Sequence, residues 1–172
     1  MKQLLICLTA IILLSGCSGW GDYQFKSDRF QFKASFPEKW EVWDRSDDRR
    51  DYLVASLPDG PPEAKIVLIA EPMAPDVNAN EIYPTFMDGG GDASILTEFR
   101  VIGKGTMKCA NSEGRYIKIT YLTDKYRIKG IRTIFLGFKF KLTISMETTE
   151  DDYALHEHDF YKMVSLIEVK SL

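Results

Sequence analysis

Few side chains in this chain could bind a metal, form a covalent bond or hold an anion: three cysteines, two histidines, a glycine triplet and a basic stripe. Both histidines fall in His156-Glu157-His158-Asp159. A spacing of two puts the imidazoles roughly 200° apart on a helix, so they cannot share an ion; a metal-binding pair needs i and i+4. His156 and Asp159 share a face, but two ligands make a weak site, and solvated helix surface is the expectation. Gly89-Gly90-Gly91 could let backbone N–H groups approach a phosphate. No Lys-Ser/Thr follows it, no strand precedes it, and Asp88 and Asp92 would repel the anion. It reads as a flexible linker or lid loop. With no Gly-x-Ser-x-Gly, a Ser-His-Asp hydrolase has no support; carboxylates brought together from afar are the weak enzymatic option. No catalytic residue and no metal site is expected.

The basic stripe is Lys125-Tyr126-Arg127-Ile128-Lys129-Gly130-Ile131-Arg132. On a strand, Lys125, Arg127 and Lys129 project from one face, with Lys139 and Lys141 on the arm that follows. A solvated sheet face is the ordinary reading. The functional one is a docking face for an acidic partner protein, since tyrosine and arginine are favoured at interfaces.

The cysteines divide by position. Cys7 lies in an apolar run from Leu4 to Leu14 that follows Lys2, and Cys17 closes Leu14-Ser15-Gly16-Cys17. A cation, a short apolar core and small residues before a cut are the marks of an export signal. The run is about half of the roughly 20 residues that a membrane-spanning helix needs. Residues 14–17 resemble a bacterial lipobox. That resemblance implies that Cys17 takes a diacylglyceryl thioether and that residues 1–16 are then removed. Residues 17–22 become a tether, and 23–172 form one globular domain. Ser18, which is not aspartate, is similar to the outer-membrane sorting pattern. In a cell with two membranes it implies an outer-membrane protein facing the periplasm. No cofactor is expected beyond this covalent lipid. Cys17→Ala is expected to leave the fold intact and misplace the protein. Cys109 is then a lone thiol that cannot form an internal disulfide, and between Met107 and Ala110 it reads as a small buried hydrophobe.

Removing the signal leaves about 156 residues, enough for one domain with a sizeable core. Hydrophobic content of 45% and aromatic content of 12% suit a packed globule. The formal charge of −3 becomes −4 without Lys2, which gives no general attraction to nucleic acid.

The elements that must position these groups are mostly strands. From Tyr23 to Phe36 apolar residues alternate at Phe30, Phe32 and Ala34, the period of a half-buried strand, and Phe36-Pro37 closes it. Trp40 is expected to pack back on the core. Asp44 to Asp51 is a charged turn. Tyr52–Leu57 and Ala64–Glu71 read as strands joined by Pro58-Asp59-Gly60-Pro61-Pro62. Asn78 to Met87 reads as a short helix capped by asparagine, which Pro84 would kink or end. Strands follow over Phe99–Cys109 and Arg115–Thr123. Tyr126–Leu136 and Lys139–Met146 then form a hairpin about Gly137. Thr149-Glu150-Asp151-Asp152 predicts a cap and acidic first turn for a closing helix to about Val169, with Phe160, Val164 and Ile167 as its stripe.

Six or seven mostly consecutive strands with two helices predict an α+β fold, an antiparallel sheet covered by helices. Phe30-x-Phe32-x-x-x-Phe36-Pro37-x-x-Trp40, Gly114-Arg115-Tyr116, the hairpin about Gly137, and Tyr161, Val164 and Ile167 together resemble the PsbP-like family. That family is shared with Ran-binding Mog proteins and small bacterial lipoproteins. Lys39 stands where members commonly carry glycine. The resemblance implies an α/β/α sandwich over nearly the whole mature chain and a non-enzymatic accessory or binding protein. The functional expectation is an envelope lipoprotein docking on a partner protein. The alternative is a small-ligand or metal-binding module, with a pocket between sheet and central helix gated by the glycine loop.

Overall fold

In the computed structural model, residues 23–58, 62–74, 77, 79–137 and 139–169 are described. Cys17 and its flanking segment, and the expected cap Asn78, lie outside them. In chain order the elements are β1 (Tyr23–Ser27), β2 (Phe32–Phe36), β3 (Glu41–Asp44), β4 (Asp51–Ser56), β5 (Lys65–Pro72) and α1 (Ala79–Met87). A 3-10 turn (Asp92–Ser94) leads to β6 (Thr97–Lys108), β7 (Glu113–Leu122), β8 (Arg127–Gly137), β9 (Phe140–Thr149), α2 (Tyr153–Ser165) and β10 (Glu168–Val169).

Seven strands form one antiparallel sheet in the order β3-β4-β5-β9-β8-β7-β6. Its centre is set by alternation. Phe140, Leu142, Ile144 and Met146 of β9 are buried on one face, beside Ile66, Leu68 and Ala70 of β5 and Ile131 and Phe135 of β8. Onto this face pack α2, through Phe160, Met163 and Val164, and a small sheet β1-β2-β10 that contributes Phe32, Ala34 and Phe36. The other face carries α1 over β7, where the Arg115 guanidinium lies 5.3 Å from the Tyr83 ring centre. The fold is the expected α+β arrangement, with a helix on each face.

Four boundaries differ from expectation, each for a local reason. The stretch from Tyr23 to Phe36 is a hairpin, not one strand. The Ser27 hydroxyl accepts from the Phe30 N–H at 2.9 Å, and Gln31 takes φ 54°, so the chain reverses over residues 28–31. Glu41–Asp44, unassigned in the sequence, is a short edge strand supported only by β4. Pro84 does not end α1, which runs on to Met87, although the helix buries no residue fully. The closing helix stops at Ser165, and its acidic residues precede its first turn. Ile167 is buried beyond the helix end, and β10 turns back to pair with β2, Glu168 opposite Lys33. The Asn111 side chain secures that return: its amide donates to the Val169 carbonyl and its oxygen accepts from the Val169 N–H at 3.0 Å. One side-chain amide thus does the work of a neighbouring strand.

Trp40 and Cys109 are both buried, as expected, at 4% and 7% exposure. The glycine loop is held on the sheet and is not a free linker. Asp88 pairs with Lys104 at 3.0 Å, Asp92 pairs with Arg132, and Gly89, at φ 90°, lies against the Phe99 ring where a Cβ would collide.

A candidate docking face beside the closing helix

Alternation along β7 and β8 puts Tyr116, Lys118 and Lys129 on the face that also holds α2. The helix covers only part of this face, which leaves a shelf along its flank. Tyr153, Glu157 and Tyr161 stand four residues apart on α2 and so share a side, with Tyr153 buried beneath the shelf, Glu157 half-buried and Tyr161 exposed at its edge. There the Glu157 carboxylate accepts from Lys118 Nζ at 2.7 Å and from the Tyr153 hydroxyl at 3.1 Å. Lys118 Nζ also lies 5.8 Å from the Tyr161 ring centre, and Lys129 Nζ 4.5 Å from that of Tyr153. The floor is made shallow by glycines of β6, because Tyr116 lies over Gly105 and Lys118 over Gly103.

Electrostatics locks the cluster in one charge state. Burial alone would raise the Glu157 carboxyl, but hydrogen bonds from Lys118, Tyr153 and Tyr161 outweigh it and hold the group below the usual carboxylate range. The Lys118 ammonium is raised, first by its hydrogen bond to Glu157. Burial, reinforced by the Glu157 charge, pushes Tyr153 well above an ordinary phenol. The ions are therefore fixed and the phenols neutral near pH 7, which suits recognition rather than proton transfer.

The stability consequence has a definite sign. A carboxyl depressed in the folded state stabilises above its unfolded value, about 4.5, and that contribution is lost as pH falls through the folded value. Glu157→Gln should cost about 1 kcal/mol at pH 7, since the pair is partly exposed. The difference in melting temperature between wild type and variant should shrink below about pH 4.5. A difference that stays constant down to pH 3 would remove the ion pair from the account.

The three basic residues singled out in sequence are only partly gathered. Lys125 is exposed in the bend before β8, without a partner among the described residues, and not on a strand. Arg127 pairs with Glu98 of β6 at 2.7 Å, and Lys129 caps Tyr153. Lys141 belongs elsewhere: antiparallel pairing sets it opposite Leu136, about 24 Å along the strand from Lys129, where it pairs with Glu71. Lys139 falls in the turn at that same far end. The shelf instead acquires Lys118, Glu157, Tyr153 and Tyr161, none of which the sequence placed in a docking face. The spacing Tyr153–Glu157–Tyr161 was the available signal. The His156-Glu157-His158-Asp159 cluster is split: His156 meets the Trp40 ring edge-on at 5.9 Å and Asp159 accepts from the Trp40 indole N–H at 3.4 Å, Glu157 joins the shelf, and His158 is exposed helix surface as expected. Among the described residues no three His, Cys, Asp or Glu side chains converge as metal ligands.

The opposite face holds a groove of about 350 Å³, lined by Val67, Tyr121, Ile128, Ser145 and Glu147 among others. Glu147 accepts from the Tyr121 hydroxyl at 2.8 Å and from Arg132 at 2.6 and 3.1 Å. Gly130 leaves the room for Glu147 to lie across the sheet. Through Arg132 and Asp92 this network reaches the 3-10 turn after the glycine loop.

Neither a protein-family model nor a curated protein matches the chain. Solved structures do. Cyanobacterial PsbP from Synechocystis matches at TM-score 0.63 and 14% identity, over 86% of this chain and 91% of its own. LpqN of Mycobacterium tuberculosis, described as involved in cell envelope biogenesis, matches at 0.66 and 11%, over 81% and 83%. The Ran-binding protein Mog1p of Saccharomyces cerevisiae matches at 0.55 and 11%, over 86% and 95%. At these identities the likeness establishes a PsbP-like fold.

Proposed function

We propose that the chain is an envelope protein held to a membrane by lipid on Cys17, whose domain docks on a partner protein without catalysis. The observation that carries the reading is the lipobox-like Leu14-Ser15-Gly16-Cys17 standing six residues before a PsbP-like domain. The described role of LpqN in envelope biogenesis supports it at the level of the fold. In a cell with two membranes, Ser18 favours the outer membrane, with the domain in the periplasm. The reading needs no cofactor beyond the lipid, no metal and no nucleic acid.

The shelf beside α2 is the docking surface in this reading. Its exposed Tyr161 and Arg127 are the residue types that anchor interfaces, and its lysines supply positive charge for an acidic partner. Their mutual hydrogen bonds fix the side chains in advance, which lowers the entropy lost on binding. Crosslinking in intact cells, comparing wild type with Lys125, Arg127 and Lys129 all changed to glutamate, tests it. A protein captured by wild type should be reduced about tenfold or more in the variant, while the domain stays folded and its melting temperature falls only by the few degrees that loss of the exposed Arg127–Glu98 pair and the Lys129–Tyr153 contact would cause. Capture that is equal in both, or absent from both, sinks the docking surface.

The groove on the opposite face favours a second reading, a small-ligand module. It is an open groove lined by both polar and apolar side chains, and it is connected to the glycine loop through an ion pair and not a free lid. Thermal-shift screening of the purified chain against metal salts and a small-molecule collection separates the two readings.

A further inference from the structure

The far face of the main sheet is covered unevenly. Helix α1 and the 3-10 turn lie over β6, β7 and β8. Over β3, β4 and β5 the same face carries Trp43, Tyr52, Val54, Val67 and Ile69, with Trp43 42% exposed and the other four only half-buried. Register makes these one patch: Trp43 is opposite Val54, Val54 opposite Val67, and Tyr52 opposite Ile69. The apolar residues are neighbours across three strands, not scattered singles.

The rim of this patch has an ordered charge pattern. Along β3 and just beyond it the far-face residues read Glu41, Trp43, Arg45, since the Arg45 N–H continues the ladder to the Tyr52 carbonyl at 2.8 Å. Along β5 they read Lys65, Val67, Ile69, Glu71. Each strand is therefore apolar in the middle and opposite in sign at its two ends. Glu41, Arg45 and Lys65 have no side-chain partner among the described residues. Such a pattern is complementary to itself. A two-fold axis lying in the plane of the face and crossing the strands reverses each strand over its own copy. With the axis at the level of Trp43, it sets Trp43 against the partner's Trp43, Glu41 against the partner's Arg45 and, because register puts Val67 level with Trp43, Val67 against the partner's Val67; Glu71 stays with Lys141 of its own chain.

We propose that this open sheet half is the interface of an isologous dimer, occupied by a second copy of the same chain. The two sheets would pack face to face, as sheets of a sandwich do, with apolar residues at the centre and ion pairs at the rim. The interface lies on the face opposite the α2 shelf, so the shelf of each copy faces outward, while the groove shares Lys65 and Val67 with the interface. The inference does not depend on the proposed docking function.

The full chain, purified in mild detergent, is examined by analytical ultracentrifugation over a concentration series. Wild type should dimerise, and Trp43→Asp should weaken the dimer about a hundredfold, because it removes the central aromatic anchor. Glu41→Arg or Arg45→Glu alone should weaken it about tenfold, and the double exchange in one chain should restore it. In cells, Trp43→Cys should give a covalent homodimer on mild oxidation, because the other thiol of the described domain, Cys109, is buried. Three results would overturn the proposal: a wild-type chain that stays monomeric, a double exchange that fails to restore the dimer, or a different protein crosslinked at position 43.

Discussion

Changing Cys17 to alanine should abolish incorporation of radiolabelled palmitate and leave residues 1–16 attached. The thioether forms on that sulfur and precedes cleavage in the lipobox reading. The expected effect is complete rather than graded. One acyl chain holds a protein to a bilayer only marginally, while two or more hold it stably, so the mature wild type should resist extraction by high salt and alkali. Metabolic labelling with intact-mass measurement reads both consequences. Label in the alanine variant, or none in wild type, would overturn the anchor. Melting of the domain should be the same in both, because position 17 precedes the described domain, whose first strand is Tyr23–Ser27.

Changing Gly114 to alanine should lower stability by about 3 kcal/mol, near the top of the range for overpacking. A Cβ at this position would overlap the Ile134 carbonyl oxygen and stand 2.8 Å from the Phe135 ring. The first obstacle is backbone of the neighbouring strand, so β7 and β8 must separate locally. For a domain of this size the melting temperature should fall by roughly 6–12 °C. Gly103→Ala is the matched control, since its Cβ would meet only Lys118 at 3.5 Å, an ordinary contact. Equal melting of the two variants would show that β7 and β8 are not packed as closely as described.

The parts of the fold legible in the sequence are those where one short period decides the outcome. Phe140, Leu142, Ile144 and Met146 alternate without interruption, and β9 with its hairpin to β8 follows directly. The Pro58–Pro62 run similarly separates β4 from β5. Failures came where a local hydrogen bond outvoted the pattern. Phe30 matches the alternation of Phe32 and Ala34, yet the Ser27 hydroxyl takes its N–H and turns the chain. Ile167 matches the stripe of Phe160 and Val164, yet the helix has ended and the residue is buried by the return of β10 to β2. The candidate face was half legible for a different reason. Arg127 and Lys129 are adjacent in one strand, and their common side follows from period two. Lys118, Tyr153 and Glu157 come from two elements distant in sequence, and only the packing of α2 on β7 brings them together.

The pairing of the last strand with the second has a consequence for how the chain is made. The β1-β2 hairpin is small and marginal alone, and its third strand is the last described part of the chain, Glu168–Val169. Likewise β5, near the beginning, finds its inner neighbour only when β9 has been synthesised. A chain emerging from the ribosome therefore holds β2 and β5 each short of one neighbour until β10 and β9 appear. Native contacts of such high sequence separation form slowly, because the loop must close before they repay it. Under the proposed export the polypeptide would cross a membrane as an extended thread, and this topology would postpone folding until translocation has begun. A circular permutant that begins at β9 would bring these partners together early, and it should fold faster in solution and be exported less efficiently.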